Sequence, residues 1–276
     1  MRRGTTRTKI ARFAAGDFTY REDQVAGEEP LEIRVGGKQL SVTMRTPGHD
    51  VELVHGFLHA EGVIGGREDI LVARYCDGVD DQGRNTYNVI DIALAAGLAD
   101  PVPDRSRAVV TSSACGVCGS ASIDSIAQRS RYSPGGPARL TPDVIMALPE
   151  ALRVHQKTFA RTGGIHAAAL ATQAGSLSLI REDVGRHNAV DKVIGAALLS
   201  DQLPLSEHAL VVSSRASFEL VQKAVLAGIG TLIAVSAPSS LAVELATETE
   251  MTLIGFTRQT GFNVYTGHHR VVGAEA

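Results

Sequence analysis

Residues 209–256 read ALVVSSRASFELVQKAVLAGIGTLIAVSAPSSLAVELATETEMTLIGF. Three short apolar runs, Ala209 to Ser213, Thr231 to Ser236 and Met251 to Phe256, alternate with two stretches of helical spacing, Phe218 to Ala227 and Leu241 to Thr247. Such runs are expected where helices cover both faces of a sheet. Strand, helix, strand, helix, strand is the rhythm of an α/β layer protein, whose ligands lie where strands run out into loops.

The same rhythm extends outward. Ala167 to Thr172 and Leu177 to Arg181 read as strands around a Gly-containing turn, and Val190, Val193, Ile194, Ala197 and Leu198 form one helix face. Phe262 to Thr266 closes the sheet at one edge. Upstream, residues 130–140 are a Pro/Gly-rich loop. The first part reads differently. Leu31 to Val35 and Leu40 to Met44 flank Gly36-Gly37 as a hairpin, and Thr46-Pro47 reads as a helix start with Thr46 as N-cap. Val51, Val54, Phe57 and Leu58 carry that helix's apolar face, and Ile70 to Tyr75 and Thr86 to Ala93 are further strands. The expected organisation is a flexible amino terminus over 1–20, a small α+β domain over 21–106 and an α/β domain over 107–276.

Composition limits the function classes. The 276 residues are 44% apolar and 21% charged, as in an ordinary soluble domain. A net charge of −3 gives no bulk field for nucleic acid or an anionic membrane. Met1-Arg2-Arg3 is not followed by an apolar signal core, and no apolar run reaches the roughly 18 residues of a membrane span, so a cytoplasmic location is expected. Three cysteines do not make a disulfide framework. Cys76, alone in a strand-like run, reads as packing.

Cys115 and Cys118 stand in the small-residue loop Ala114-Cys115-Gly116-Val117-Cys118-Gly119-Ser120, with Ile123 and Ile126 starting a helical pattern just after it. A helix amino end lowers a thiol's pKa and favours the nucleophilic thiolate. A dithiol enzyme would set the pair in a compact βαβ unit, and a structural zinc site would need two more ligands. A zinc deaminase would place His-x-Glu before Pro-Cys-x-x-Cys, whereas here the cysteines come first and Ala168 stands two residues after His166. An idle loop is the bland alternative. Attack on a sulfur donor, leaving a persulfide for delivery, fits these residues best.

Downstream, Glu182-Asp183-Val184-Gly185-Arg186-His187-Asn188-Ala189-Val190-Asp191-Lys192 reads as a helix start with Asp183 as N-cap. Arg186 and His187 fall in the first turn, where cations oppose the helix dipole, so a negative ligand is expected there. Ser213-Ser214-Arg215-Ala216-Ser217 leads a strand into a helix and suits either a phosphate, through Ser214 and Arg215, or plain serine capping. Ser236 to Ser240 repeats the theme without a charge and reads as capping. The loop Phe256-Thr257-Arg258-Gln259-Thr260-Gly261 leaves the last core strand and reads as a ligand loop or a simple hairpin. His166 reads first as a satisfied core histidine.

Taken together these segments resemble the formate dehydrogenase accessory sulfurtransferases (the FdhD/NarQ family). The matching stretches are Glu28-Glu29-Pro30-Leu31, Cys115-Gly116-Val117-Cys118-Gly119, Gly164-Ile165-His166-Ala167-Ala168, Glu182 to His187, Ser213 to Glu219 and Phe262 to Thr266. The resemblance implies a sulfur carrier that takes persulfide sulfur from a cysteine desulfurase. It passes that sulfur to the molybdenum bis(pyranopterin guanine dinucleotide) cofactor of formate dehydrogenase. Cys115 is then the carrier and Cys118 its assistant or alternative acceptor. Phe256 to Gly261 falls where the family binds the cofactor, with Arg186, His187, Ser214 and Arg215 as further contacts. No resident metal is implied. The implied fold is a cytidine-deaminase-like layered mixed sheet with a smaller amino-terminal α+β domain, as a homodimer. Where many members carry a second arginine before the closing strand, this chain has Gly261. That contact is either absent or supplied by His268, His269 or Arg270. A cofactor chaperone that moves no sulfur and a zinc-stabilised binding module are the competing readings of other classes.

Overall fold

The computed structural model describes residues 4–76, 78, 86–98, 131–132 and 139–274. Cys115 and Cys118 lie outside the described residues. Strands β1 (Thr5–Ala14) and β2 (Asp17–Ala26) pair antiparallel as a separate two-stranded hairpin. Most of the stretch over 1–20 expected to be a flexible amino terminus is thus in these two strands. Both hairpin faces are largely exposed, so no alternation of apolar and polar residues marks these strands in the sequence.

A second sheet combines β3 (Glu29–Val35), β4 (Lys38–Arg45), β5 (Ile70–Tyr75) and β6 (Val89–Leu94) in the order β4-β3-β6-β5. Helix α1 (Asp50–Ala60) packs Leu53, Val54 and Leu58 against Leu31, Ile33, Ile90 and Ile92. That helix begins later than expected. Gly48 and His49 both have positive φ, of 115° and 58°, so the chain cannot be helical from Pro47. His49 occupies the N-cap position instead of Thr46. Thr46 ties the two larger sheets together. Its hydroxyl accepts from the Val184 N–H at 3.1 Å, and its own N–H donates to Asp183 Oδ2 at 3.1 Å.

The third sheet holds β7 (His166–Ala171), β8 (Leu177–Asp183), β9 (Ala209–Val212), β10 (Thr231–Ala234), β11 (Thr252–Arg258) and β12 (Gly261–Thr266), in the order β12-β11-β10-β9-β7-β8. Strands β9, β10 and β11 are mutually parallel, and β12 returns antiparallel along β11. Strand β7 runs antiparallel to both β9 and β8, so β8 points the same way as the parallel trio. Helices α2 (Pro142–His155) and α3 (Lys157–Thr162) precede the sheet, while α4 (Arg186–Leu199), α5 (Phe218–Leu226) and α6 (Ser240–Glu248) connect its strands.

Both faces are covered, as the apolar runs require. Val190, Val193, Ile194, Leu220, Val221 and Leu245 pack one face against Leu210, Val212, Leu232 and Leu253. Ile145, Leu148 and Leu152 of α2 pack the other against Ala169, Val211, Ile233 and Ile254. The alternation of Leu210 and Val212 with Ala209 and Val211 between the two cores is the period of two that a strand imposes.

The two larger sheets are joined by α1 crossing α4, and Leu198 of α4 enters the core of the smaller sheet. The crossing is tight. A Cβ at Gly56 would collide with the Asp191 carbonyl oxygen, and one at Gly195 with the Glu52 carbonyl oxygen while standing 2.8 Å from the Gly56 nitrogen. The bidentate pair of Arg181 with Glu52 flanks this contact, with Nη2 to Oε1 at 2.8 Å. Burial pushes the Glu52 carboxyl up, but hydrogen bonds from Arg181 and His49 outweigh it and bring it down to about 2.

Candidate functional site

The topology sends five segments to one edge of the six-stranded sheet. Strands β9, β10 and β11 end there, β8 ends there at Asp183, and the antiparallel β7 begins there at His166. Helices α4, α5 and α6 all start from this edge. Their first-turn N–H groups and the positive ends of their dipoles face the same side, an arrangement suited to an anion.

Arg186 and His187 open α4, in the first turn as expected. The N-cap is Gly185 rather than Asp183. Asp183 is fully buried at the end of β8, where its carboxylate pairs with the buried Lys192 Nζ at 2.6 Å. Its Oδ1 also accepts from the Gly185 N–H at 2.8 Å and from Asn188 Nδ2 at 3.1 Å. The residue thus fixes the turn from β8 into α4 from below instead of capping the helix. Its reassignment follows from burial: a carboxylate at zero exposure takes a buried cation as partner.

Four cationic or protonatable groups meet above that turn. Burial lowers the Arg186 guanidinium pKa, the nearby Arg215 charge lowers it further, and Glu219 opposes both. Burial likewise lowers His166, helped by the positive charges of Arg186 and His187. Arg186 Nε is buried with no hydrogen-bond partner among the described residues. A guanidinium donor left in that state costs free energy unless a ligand accepts from it. His187 Nε2 lies 3.3 Å from Ser217 Oγ and 3.6 Å from Glu219 Oε2. The Glu219 carboxyl is held down at about 2 by its hydrogen bond with His187, against burial.

Ser217 occupies the N-cap position of α5 without making the capping hydrogen bond. Its hydroxyl turns to His187 instead, which disfavours the plain capping reading of this segment. Ser239 does cap α6, accepting from the Ala242 N–H at 3.3 Å, as read from the sequence. Ser214 is buried and its hydroxyl donates to the Arg215 carbonyl at 3.0 Å. The loops after β9 and β10 brace each other. Ala216 N–H donates to the Ala237 carbonyl at 3.2 Å, and Ser239 N–H to the Ala216 carbonyl at 3.0 Å.

The Phe256–Gly261 segment reaches the same edge, two strands from β9, or roughly 10 Å at ordinary strand spacing. Phe256 has φ 52° at a register shift between Gly255 and Arg258, so the strand bulges as it ends. The bulge leaves the Phe256 ring 41% exposed while Thr257 is buried. Arg258, Gln259 and Thr260 are exposed. Gly261 has φ 155° with open space about it, so an arginine there would meet backbone strain rather than a steric clash.

One expectation is corrected by topology. His268, His269 and Arg270 follow the end of β12, beside the start of β11. They therefore stand at the opposite edge of the sheet from Arg258 and cannot replace a contact at Gly261. Arg270 is buried there, donating to the Glu250 carbonyl at 2.6 Å. His166, read first as a core residue, is instead half-buried beside the cationic cluster. Its place at the start of a strand antiparallel to β9 was the missing signal.

A mixed α/β layer protein with a cationic cluster where its strands end is the class these features define. The FdhD/NarQ family profile matches residues 26–272, and the chain belongs to that family. It is 53% identical over 275 residues to the sulfur carrier protein FdhD of Nocardia farcinica, covering 99% of this chain and 97% of that one. It is 52% identical over 273 residues to the sulfur carrier protein FdhD of Streptomyces avermitilis, covering 98% and 97%. A crystal structure assigned to a formate dehydrogenase accessory protein from Desulfotalea psychrophila shares the fold. Its TM-score is 0.74 at 24% identity, over 97% of this chain and 99% of that one.

Proposed function

We propose that this chain is a cytoplasmic sulfur carrier serving formate dehydrogenase, with a cysteine desulfurase as donor and the molybdenum bis(pyranopterin guanine dinucleotide) cofactor as acceptor. The Cys115 thiolate attacks the outer sulfur of the desulfurase persulfide. The donor's S–S bond breaks, its cysteine leaves as thiolate, and Cys115 holds the sulfur as a persulfide. Cys118 assists or serves as alternative acceptor. The outer sulfur then passes to the metal of the cofactor, whose reduced form supplies the electron pair, and Cys115 leaves as thiolate. On this reading the chain acts as a homodimer, and the six-stranded sheet with its helices is the cytidine-deaminase-like layer.

The observation that supports the acceptor half is the cationic edge. Arg186, His187 and Arg215 crowd together at two helix amino ends, and Arg186 Nε has no acceptor among the described residues. A persulfide and a polyanionic cofactor repel each other, so their meeting requires such positive groups. Arg258 would hold a second phosphate, and the exposed Phe256 ring offers a face on which a guanine can stack.

Guanosine diphosphate, which carries the base and phosphates of one cofactor arm, is the probe. Titration calorimetry should show saturable binding that weakens by tenfold or more in Arg186→Ala. That follows from losing a charge-assisted hydrogen bond of about 1.5–3 kcal/mol. Arg258→Ala should weaken binding as well, while Arg270→Lys at the opposite edge should not. Equal affinity in wild type and an Arg186→Ala/Arg215→Ala double variant would remove the acceptor site from this edge.

A further inference from the structure

The β1–β2 hairpin has a face that none of the described residues covers. The register pairs Phe13 with Phe18, Ala11 with Tyr20, Lys9 with Glu22 and Arg7 with Gln24, and directly paired residues share a face. Phe13, Phe18 and Tyr20 are 61%, 66% and 86% exposed, and the two phenylalanine rings meet at 5.1 Å between centroids. Three of the chain's twelve Phe and Tyr residues thus stand in water on one side of one ribbon. An isolated two-stranded hairpin is marginally stable at best in water. Among the described residues the base is what ties it down: Gly27 N–H donates to the Gly4 carbonyl at 2.9 Å, and β2 contacts α3. An exposed aromatic patch on an otherwise unsupported ribbon marks an interface.

Charge decides what covers it. On this face Arg7 and Lys9 stand against Glu22, which Arg7 Nη1 approaches at 3.5 Å, while Arg12, Asp17, Arg21 and Asp23 lie on the opposite face, so the aromatic side carries both signs and no strong single-sign field. Its face complements itself. A two-fold axis running along the hairpin lays β1 of one copy over β2 of the other. Each rung then meets its own reverse: Phe13 on the partner's Phe18, small Ala11 on the partner's Tyr20, and Lys9 on the partner's Glu22. Arg7 falls on the partner's Gln24. We propose that this aromatic face docks on the same face of a second copy of the chain, as an isologous contact about that axis.

This contact rests on the two-copy reading above and names its surface. Strands of ten residues at about 3.4 Å each, in a ribbon about 10 Å wide, offer roughly 300 Å² per copy. That is well below the roughly 800 Å² per partner of a standard interface, so this contact gives a dimer that dissociates on dilution.

Sedimentation velocity of the full chain over a concentration series tests this. Wild type should pass from monomer to dimer with rising concentration. A Phe13→Ser/Phe18→Ser/Tyr20→Ser variant, altered only at exposed positions, should dissociate at least tenfold more readily with unchanged circular dichroism. Lys9→Glu and Glu22→Lys should each weaken self-association, and mixing the two should restore a dimer containing one of each. A triple-serine variant that dimerises like wild type would leave the two-copy reading standing and place its interface elsewhere. A mixture that forms no heterodimer would overturn the axis. Wild type that stays monomeric throughout would end both the proposal and the two-copy reading, without touching the sulfur chemistry.

Discussion

Asp183→Ala is expected to lower the stability of the fold by about 3–5 kcal/mol, because it strands the ammonium of Lys192 in a buried site. Lys192 is 1% exposed and Asp183 is not exposed at all. The carboxylate also accepts from the Thr46 and Gly185 N–H groups, which lose that acceptor, and from Asn188 Nδ2, which keeps the Met44 carbonyl at 2.7 Å. Against a typical domain stability of about 5–15 kcal/mol, a loss of that size shifts a urea midpoint strongly. Lys192 retains the Thr46 carbonyl at 2.9 Å, which accepts a hydrogen bond but does not neutralise the charge. An Asp183→Leu/Lys192→Met double variant should recover much of the loss, since a pair of apolar groups carries no unpaired charge. A single variant with an unchanged midpoint would show that the pair adds nothing. The effect also reaches function, because Asp183 fixes the turn that presents Arg186.

Gly195→Ala separates two opposing effects by their size. In an exposed helix interior, replacing glycine by alanine stabilises by about 1 kcal/mol. At Gly195 the new Cβ would overlap the Glu52 carbonyl of α1, a backbone atom that moves only if the helix moves. Overpacking of that kind costs typically about 1–3 kcal/mol. The sum is expected to be destabilising, and Gly195→Val should cost more, with the midpoint of chemical unfolding as the readout. A Gly195→Ala protein more stable than wild type would mean that α1 and α4 lie further apart than the structure places them.

Much of the larger sheet could be read in the sequence because its strands are buried on both faces and its helices repeat apolar residues at helical spacing. Val190, Val193, Ile194, Ala197 and Leu198 all enter the core from α4 or its junction with the smaller sheet. The hairpin over residues 5–26 was not legible, since exposed strands leave no alternation to detect. The role of Asp183 was not legible either. Capping is a local signal, whereas pairing with Lys192 and with Thr46, 137 positions away, exists only after the sheets meet. Arg186, His187 and Arg215 were recognisable by their place at helix starts, and only the strand order shows that they face one another. The same order separates His268 and His269 from Arg258, which sequence proximity had placed together.

If sulfur travels on Cys115, intact-protein mass spectrometry should show it there. After incubation with a cysteine desulfurase and free cysteine, the wild-type chain should gain the mass of one sulfur atom, and a thiol reductant should remove it. Cys115→Ala should gain none, and Arg186→Ala, altered only on the acceptor side, should load like wild type. A Cys115→Ala protein that takes up sulfur as wild type does would contradict the assignment of Cys115 as carrier.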